Sequence, residues 1–146
     1  RSIAIHAGLV SSGQNGMSMQ DPGGHPGAAA AVGTGPVTGR ALSSLLDELN
    51  ITNIDLWSLD VEQFELNVLQ GVDFKRHRPK YIVIEVWDVN RARLFKFMES
   101  VGYDLVPGYD AEGGISGFPK HHPHRDFIWR DSQLGGQVPV IVKPDV

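Results

Sequence analysis

The chain of 146 residues has no cysteine. This excludes a disulfide framework, a thiol nucleophile and a Cys-ligated zinc, while leaving the compartment open. It also lacks any apolar run near the ~20 residues needed to span a bilayer, so it is not expected to span a membrane. Charge of one sign is missing as well: 13 Lys and Arg stand against 17 Asp and Glu, a formal net charge of -4. That balance gives no reason to expect nucleic acid or an anionic membrane surface as a partner. There is no internal repeat. With 41% apolar and 21% charged residues the composition is ordinary for a globular chain, and the length suits one domain with a real core. The first residue is Arg1 rather than Met, so any targeting segment would be invisible.

Glycine (17) and proline (9) are plentiful by contrast, and many fall in residues 11–40. Asp21-Pro22-Gly23-Gly24-His25-Pro26-Gly27 and Gly33-Thr34-Gly35-Pro36 are loop chemistry. A loop this long is uncommon inside a compact domain, so residues 11–40 read as a loop insertion, mobile or partner-bound, rather than a phosphate site. Met17 and Met19 would serve there as surface anchors. Gly33-Thr34-Gly35 lacks the Lys and Ser/Thr of a P-loop and the strand-to-helix setting of a dinucleotide site.

After this insertion the hydrophobic period is regular. Thr38 to Asn50 predicts an amphipathic helix with Thr38 as N-cap, Leu42, Leu45, Leu46 and Leu49 as its buried stripe, and Asn50 closing it. Ile54 to Leu59 is a short apolar run, which predicts a strand buried on both faces and ending in the acids Asp60 and Glu62. The spacing then changes to that of a helix, with Glu62 at its start, where negative charge is favoured. Lys75, Arg76, His77 and Arg78 form a basic connector, read as solvated surface. Tyr81 to Val86 predicts the next strand, with Glu85 at its end. Asp88-Val89-Asn90 opens a helix that carries Leu94, Phe95, Phe97, Met98 and Val101 inward and stops at Gly102. Tyr103 to Val106 and Asp126 to Arg130 predict a final strand pair. Ile3 to Ala7 predicts a first strand ending at His6.

In an open α/β sheet, ligands bind beyond the carboxyl ends of the strands. Asp60 and Glu85 close two consecutive strands, so both acids are expected to face one crevice. His121-His122-Pro123-His124 is the other conspicuous cluster. Pro123 makes it extended, neighbours on an extended chain point apart, and an exposed loop is expected rather than a metal site. The tail, Val138-Pro139-Val140-Ile141-Val142-Lys143-Pro144, is apolar and extended. Adding a strand to another protein's sheet and packing back on its own domain both suit it.

Leu59-Asp60-Val61-Glu62, Phe64-Glu65-Leu66-Asn67-Val68-Leu69-Gln70-Gly71-Val72 and Arg78-Pro79-Lys80-Tyr81-Ile82-Val83-Ile84-Glu85-Val86 resemble the core signature of FkbM-type methyltransferases, roughly IDVEGxExxVLKG…RPxxIxxE. Gly102 to Val106, Asp126 to Trp129 and Ile3 to Ser12 continue the resemblance more loosely. The family's Gly after the acidic pair is Gln63 here.

The resemblance implies an α/β fold: a Rossmann-like methyltransferase sheet, mostly parallel with an antiparallel final strand, helices on both faces, in the order 3-2-1-4-5-7-6. This chain holds strands three to seven of it, so the sheet would be incomplete. Residues 1–134 would form the partial domain and 135–146 an extended apolar tail. S-adenosylmethionine is implied as cofactor, with His6 and Ala7 beside it, but the family's Gly-rich turn does not precede Ile3. Asp60 and Glu62 are implied as acid/base or orienting groups, and Glu85 as a substrate contact. The methyl acceptor would be a hydroxyl of a small molecule, sugar or lipid. A second reading is a non-catalytic module derived from such an enzyme. It would be a structural or interaction subunit meeting other protein subunits through 11–40 and 135–146.

Overall fold

The structure, a computed structural model, describes residues 8–10, 18–20, 30–31, 37–108, 113–115 and 122–142. The chain divides into two units, residues 1–52 with 66–77 and residues 53–65 with 78–146. The expected strand Ile3 to Ala7, His121 and most of 11–36 lie outside the described residues.

The first unit carries the strands β1 (Gly8–Val10), β2 (Ser18–Gln20), β3 (Ala30–Ala31) and β4 (Val37–Ala41), followed by the helix α1 (Leu42–Glu48). The sheet order is β1-β4-β2-β3, with β1 and β4 parallel and the other pairs antiparallel. Two expectations change here. Residues 11–40 are not all loop, since β2, β3 and the start of β4 fall inside them. Thr38 is not a helix cap but a strand residue, and the extended Ala41 precedes α1 without a side-chain cap. Pairing on both edges of β4 satisfies its backbone, while Gly39 disfavours a helix in that stretch.

The other end of α1 follows the sequence. Asn50 takes a left-handed φ of 54° and the N–H of Ile51 returns to the carbonyl of Leu46, as at many helix ends. Leu45 and Leu46 are buried. Ser43 at the head of α1 fixes the turn at 71–77. Its Oγ accepts from the Asp73 N–H (2.7 Å) and lies 2.9 Å from His77 Nδ1, and its own N–H donates to the Gly71 carbonyl. His77 is therefore buried, not solvated as the charge run suggested. Arg76 is exposed and pairs with Asp47 and Asp73, contacts worth little in water.

The second unit contains β5 (Leu56–Leu59), β6 (Tyr81–Trp87), the helix α3 (Arg91–Ser100), β7 (Tyr103–Leu105), β8 (His124–Asp131) and a 3-10 turn, Ser132–Leu134. The short helix α2 (Glu65–Leu69) has its first residue in this unit and the rest in the other. The sheet order is β5-β6-β8-β7, which corresponds to strands four, five, seven and six of the expected order. The expectation of a mostly parallel sheet is corrected. Only β5 and β6 run parallel, and both β6–β8 and β7–β8 are antiparallel. The cause is β8, which enters between β6 and β7 and reverses both contacts.

β5 is also not buried on both faces. Among the described residues it has one strand partner, Leu59 alone in it is buried, and Leu56 is 62% exposed. Ile82, Ile84 and Val86 of β6, Leu94 and Met98 of α3, Val106 and Phe127 are 0–1% exposed and form the core. α3 ends at Gly102, whose φ of 80° favours glycine.

Arg78 holds that end. Its guanidinium donates to the carbonyls of Val101 and Gly102 and to both oxygens of Asp131. The Arg78-Pro79 pair of the signature is thus a structural device, with Pro79 supplying the carbonyl that accepts from the Tyr103 hydroxyl at 2.7 Å. In the tail, the Ile141 N–H donates to the Pro107 carbonyl, so this part folds back on its own unit, while Val140 and Val142 are exposed. Among the described residues no helix is long and apolar enough to cross a membrane.

Candidate functional site

Strand register gathers the acids. Leu59 of β5 pairs with Ile84 of β6, so the residues that follow them, Asp60 and Glu85, come to the same level. Glu85 is in turn directly opposite Asp126 of β8. Three neighbouring strands therefore bring Asp60, Glu85 and Asp126 into one row at the carboxyl ends of β5 and β6. Trp87 and His124 face each other two residues further along, on the same side of the sheet as Glu85 and Asp126.

Both oxygens of Glu85 are engaged. Trp87 Nε1 donates to Oε2 at 2.9 Å, and His124 Nδ1 lies 2.7 Å from Oε1, an ion-pair approach rather than an aligned hydrogen bond. The His124 ring stacks on Trp87 at 4.6 Å. Glu85 is thus a buried carboxylate in a fixed orientation. Burial, with the negative charges of Asp60 and Glu62 adding to it, holds its proton affinity above the ordinary value, against the pull of Trp87 and His124. Burial and the charge of Asp60 raise Asp126 in the same way, with His124 opposing.

The loop between β5 and α2 has its own device. Val61 to Phe64 form a tight turn, the Phe64 N–H reaching the Val61 carbonyl, and both central residues have positive φ: 52° at Glu62 and 77° at Gln63. Glu65 is 1% exposed, and its Oε1 accepts from the N–H groups of Val61 and Gln63 at 3.3 and 3.0 Å. Burial and the charge of Glu85 raise its proton affinity over the opposing pull of these N–H groups. Glu65 therefore supports the loop that presents Asp60 and Glu62. Asn90, at the head of α3, donates to the Gln63 carbonyl from the other side.

Of the residues singled out in the sequence, Asp60 is exposed just past β5, Glu62 sits in the turn instead of opening a helix, and Glu85 lies in the row. His6 and Ala7 lie outside the described residues. The histidine cluster is corrected in part: His124 is no exposed loop residue but the first residue of β8, paired with Glu85. No group of three or more metal-ligating side chains occurs among the described residues. Sequence reasoning missed Trp87, Asp126, His124 and Glu65 as parts of the site. For the first three the signal is cross-strand register. For Glu65 it is the helix start: α2 begins at Glu65 and not at Glu62, so this acid caps the turn before the helix.

The arrangement can take up a proton at a carboxylate of raised affinity and can attract a cationic group. Residues 6–105 match the family model described as Methyltransferase FkbM domain. No curated protein and no solved structure matches the chain.

Proposed function

Because the chain belongs to the FkbM methyltransferase domain family, we propose that its second unit carries the acceptor side of an S-adenosylmethionine-dependent O-methyltransferase. On this reading the sheet is the C-terminal part of a Rossmann-like methyltransferase sheet with helices on both faces. The observation that carries the reading is the row Asp60, Glu85 and Asp126, with Glu85 clamped between Trp87 and His124.

The residues fit the cofactor in charge, since a sulfonium is a cation and this loop is acidic. Bound S-adenosylmethionine would supply a methyl group on that sulfonium. Asp60 and Glu62 are the residues that would face it. The chain's own task is to hold an acceptor hydroxyl and take its proton. Glu85, fixed by two partners, orients the hydroxyl, and Asp60 or Glu62 receives the proton as the oxygen becomes nucleophilic. The acceptor is a hydroxyl of a small molecule, sugar or lipid.

A second reading is favoured by one observation. Gln63 occupies a left-handed position that the family fills with Gly, which suits a non-catalytic module retained as a subunit of an assembly, meeting partners through 11–40 and 135–146. Calorimetric titration of the complete protein with S-adenosylmethionine and S-adenosylhomocysteine separates the two. The enzyme reading expects binding that Asp60→Asn weakens while the melting temperature stays nearly constant. If neither compound binds, or if Asp60→Asn changes stability and not affinity, the enzyme reading fails.

A further inference from the structure

Of the five asparagines in the chain, Asn50 alone is followed two residues on by a hydroxyl side chain with a residue other than proline between, in Asn50-Ile51-Thr52. This is the acceptor pattern of asparagine-linked glycosylation. A pattern of three residues also arises by chance, so its structural setting has to decide. A buried copy, or one whose amide is already bonded, has no room for a sugar.

The setting suits the chemistry. The motif begins where α1 ends. The Asn50 N–H donates to the Asp47 carbonyl and the Ile51 N–H to that of Leu46, which turns the chain off the helix. Asn50 sits at the left-handed φ of 54°, which asparagine tolerates better than most residues. Asn50 and Thr52, the two residues that carry the pattern, are exposed, whereas Ile51 between them is half-buried. Among the described residues the Asn50 carboxamide has no hydrogen-bond partner, so modification breaks no contact there. Asp47, Glu48 and Asn53 around it are exposed as well, which leaves space for a bulky polar group. Asn53 provides the contrast, being equally exposed in the same connection but followed by Ile54-Asp55, without a hydroxyl.

We propose that Asn50 is the acceptor of an N-linked glycan. The donor class is an oligosaccharide carried on a lipid diphosphate. Asn50 Nδ2 attacks the anomeric carbon, the new N–C bond forms and the anomeric C–O bond breaks. The diphosphate leaves with the bonding electrons, and a base of the transferase takes the amide proton. Thr52 supplies the hydroxyl that the transferase requires two residues beyond the acceptor. All three residues lie in the first unit, and the modification is independent of the acidic row and of the activity proposed for it.

The test uses the complete protein purified from its native source. Peptide N-glycosidase acting in heavy-oxygen water converts a glycosylated asparagine to an aspartate that carries the heavy isotope. Trypsin releases residues 41–75 as one peptide containing Asn50, Asn53 and Asn67, so fragment masses read the three positions against one another. The label is expected at position 50 alone. In the same host, Asn50→Gln and Thr52→Ala should lose it, whereas Thr52→Ser should keep it. Thr52→Ala leaves the left-handed asparagine in place, so the test does not depend on a change at that position. An unlabelled Asn50 in the native protein overturns the proposal. So does a label that forms without the glycosidase, which is deamidation, or one that survives Thr52→Ala.

Discussion

Replacing Gln63 by glycine should make the protein more stable. Gln63 is the second of two successive positive-φ residues in the turn after β5, at 77°. A left-handed backbone costs a residue with a Cβ roughly 1–2 kcal/mol. Glycine removes that penalty but has more freedom to lose on folding, roughly 0.5–1 kcal/mol. The other interactions of the residue are made by its backbone, which the substitution keeps: its N–H donates to Glu65 and its carbonyl accepts from Asn90. Its side chain is exposed, so little packing is lost. The balance is a gain of about 0.5–1 kcal/mol, or a rise of roughly 1–4 °C in Tm for a chain of this size. Gln63→Ala keeps the Cβ and should leave Tm within about 1 °C of the parent. Thermal unfolding followed by circular dichroism, run on all three proteins side by side, is sufficient. A Gln63→Gly variant no more stable than Gln63→Ala would refute the argument, because the turn would then carry no backbone strain at this position.

Glu65→Ala should cost about 1–3 kcal/mol by leaving the Val61 and Gln63 N–H groups without their acceptor, whereas Glu65→Gln should cost less. Urea unfolding midpoints of the two variants check the order. Arg78→Ala should cost about 3 kcal/mol, because Asp131 is then buried without its guanidinium partner and the Val101 carbonyl at the end of α3 loses its Arg78 donor, while the Gly102 carbonyl keeps the Ser132 N–H and hydroxyl. Burial raises Asp131, but the Arg78 fork and the Gln133 N–H outweigh it and hold Asp131 below its ordinary 3.8. Its stabilising contribution is therefore full above that value and is lost as pH falls through the lower folded value, so the acid limb of the stability curve should flatten in Arg78→Ala. Glu85 behaves in the opposite sense. Its folded affinity is raised above 4.5 by burial first, so its contribution is full below 4.5 and is lost as pH rises through the folded value. Glu85→Gln should gain on the parent between pH 4.5 and 7 in denaturant titrations, and a loss over that interval would contradict the assignment.

The sequence was most informative where a segment's neighbours along the chain decide its structure. Tyr81 to Val86 could be read as a strand because its β-branched run suits only one state. α3 could be read from Leu94 and Met98 four apart and from Gly102 at its end. Thr38 to Ala41 was misread because a strand–strand pairing across many residues overrode a local capping signal. The acidic row was half legible. Asp60 and Glu85 follow from strand ends, but Asp126 and His124 are set by the register of β6 on β8, which no short stretch encodes. Glu62 was misplaced because the two positive-φ residues delay the helix to Glu65, and nothing in a Glu-Gln pair announces such a turn. An antiparallel final strand between its two neighbours was expected of β8, but in this four-stranded sheet it reverses two of the three contacts, so the sheet is mostly antiparallel and not mostly parallel.

The position of β8 also has a consequence for how the molecule is made. It is an inner strand of its sheet and, of the four described strands of that sheet, the last to leave the ribosome. Until His124 to Asp131 have emerged, β6 has one open edge seven residues long and β7 lacks the strand that, among the described residues, it pairs with. A nascent chain halted in the loop before β8 would thus expose Ile82, Ile84 and Val86 beside unpaired backbone groups, the combination that recruits other strands. The two ends of the sheet can only be joined in one late step, and its speed is limited by bringing together segments some forty residues apart. For this unit, fidelity of synthesis rests on protecting β6 during that interval.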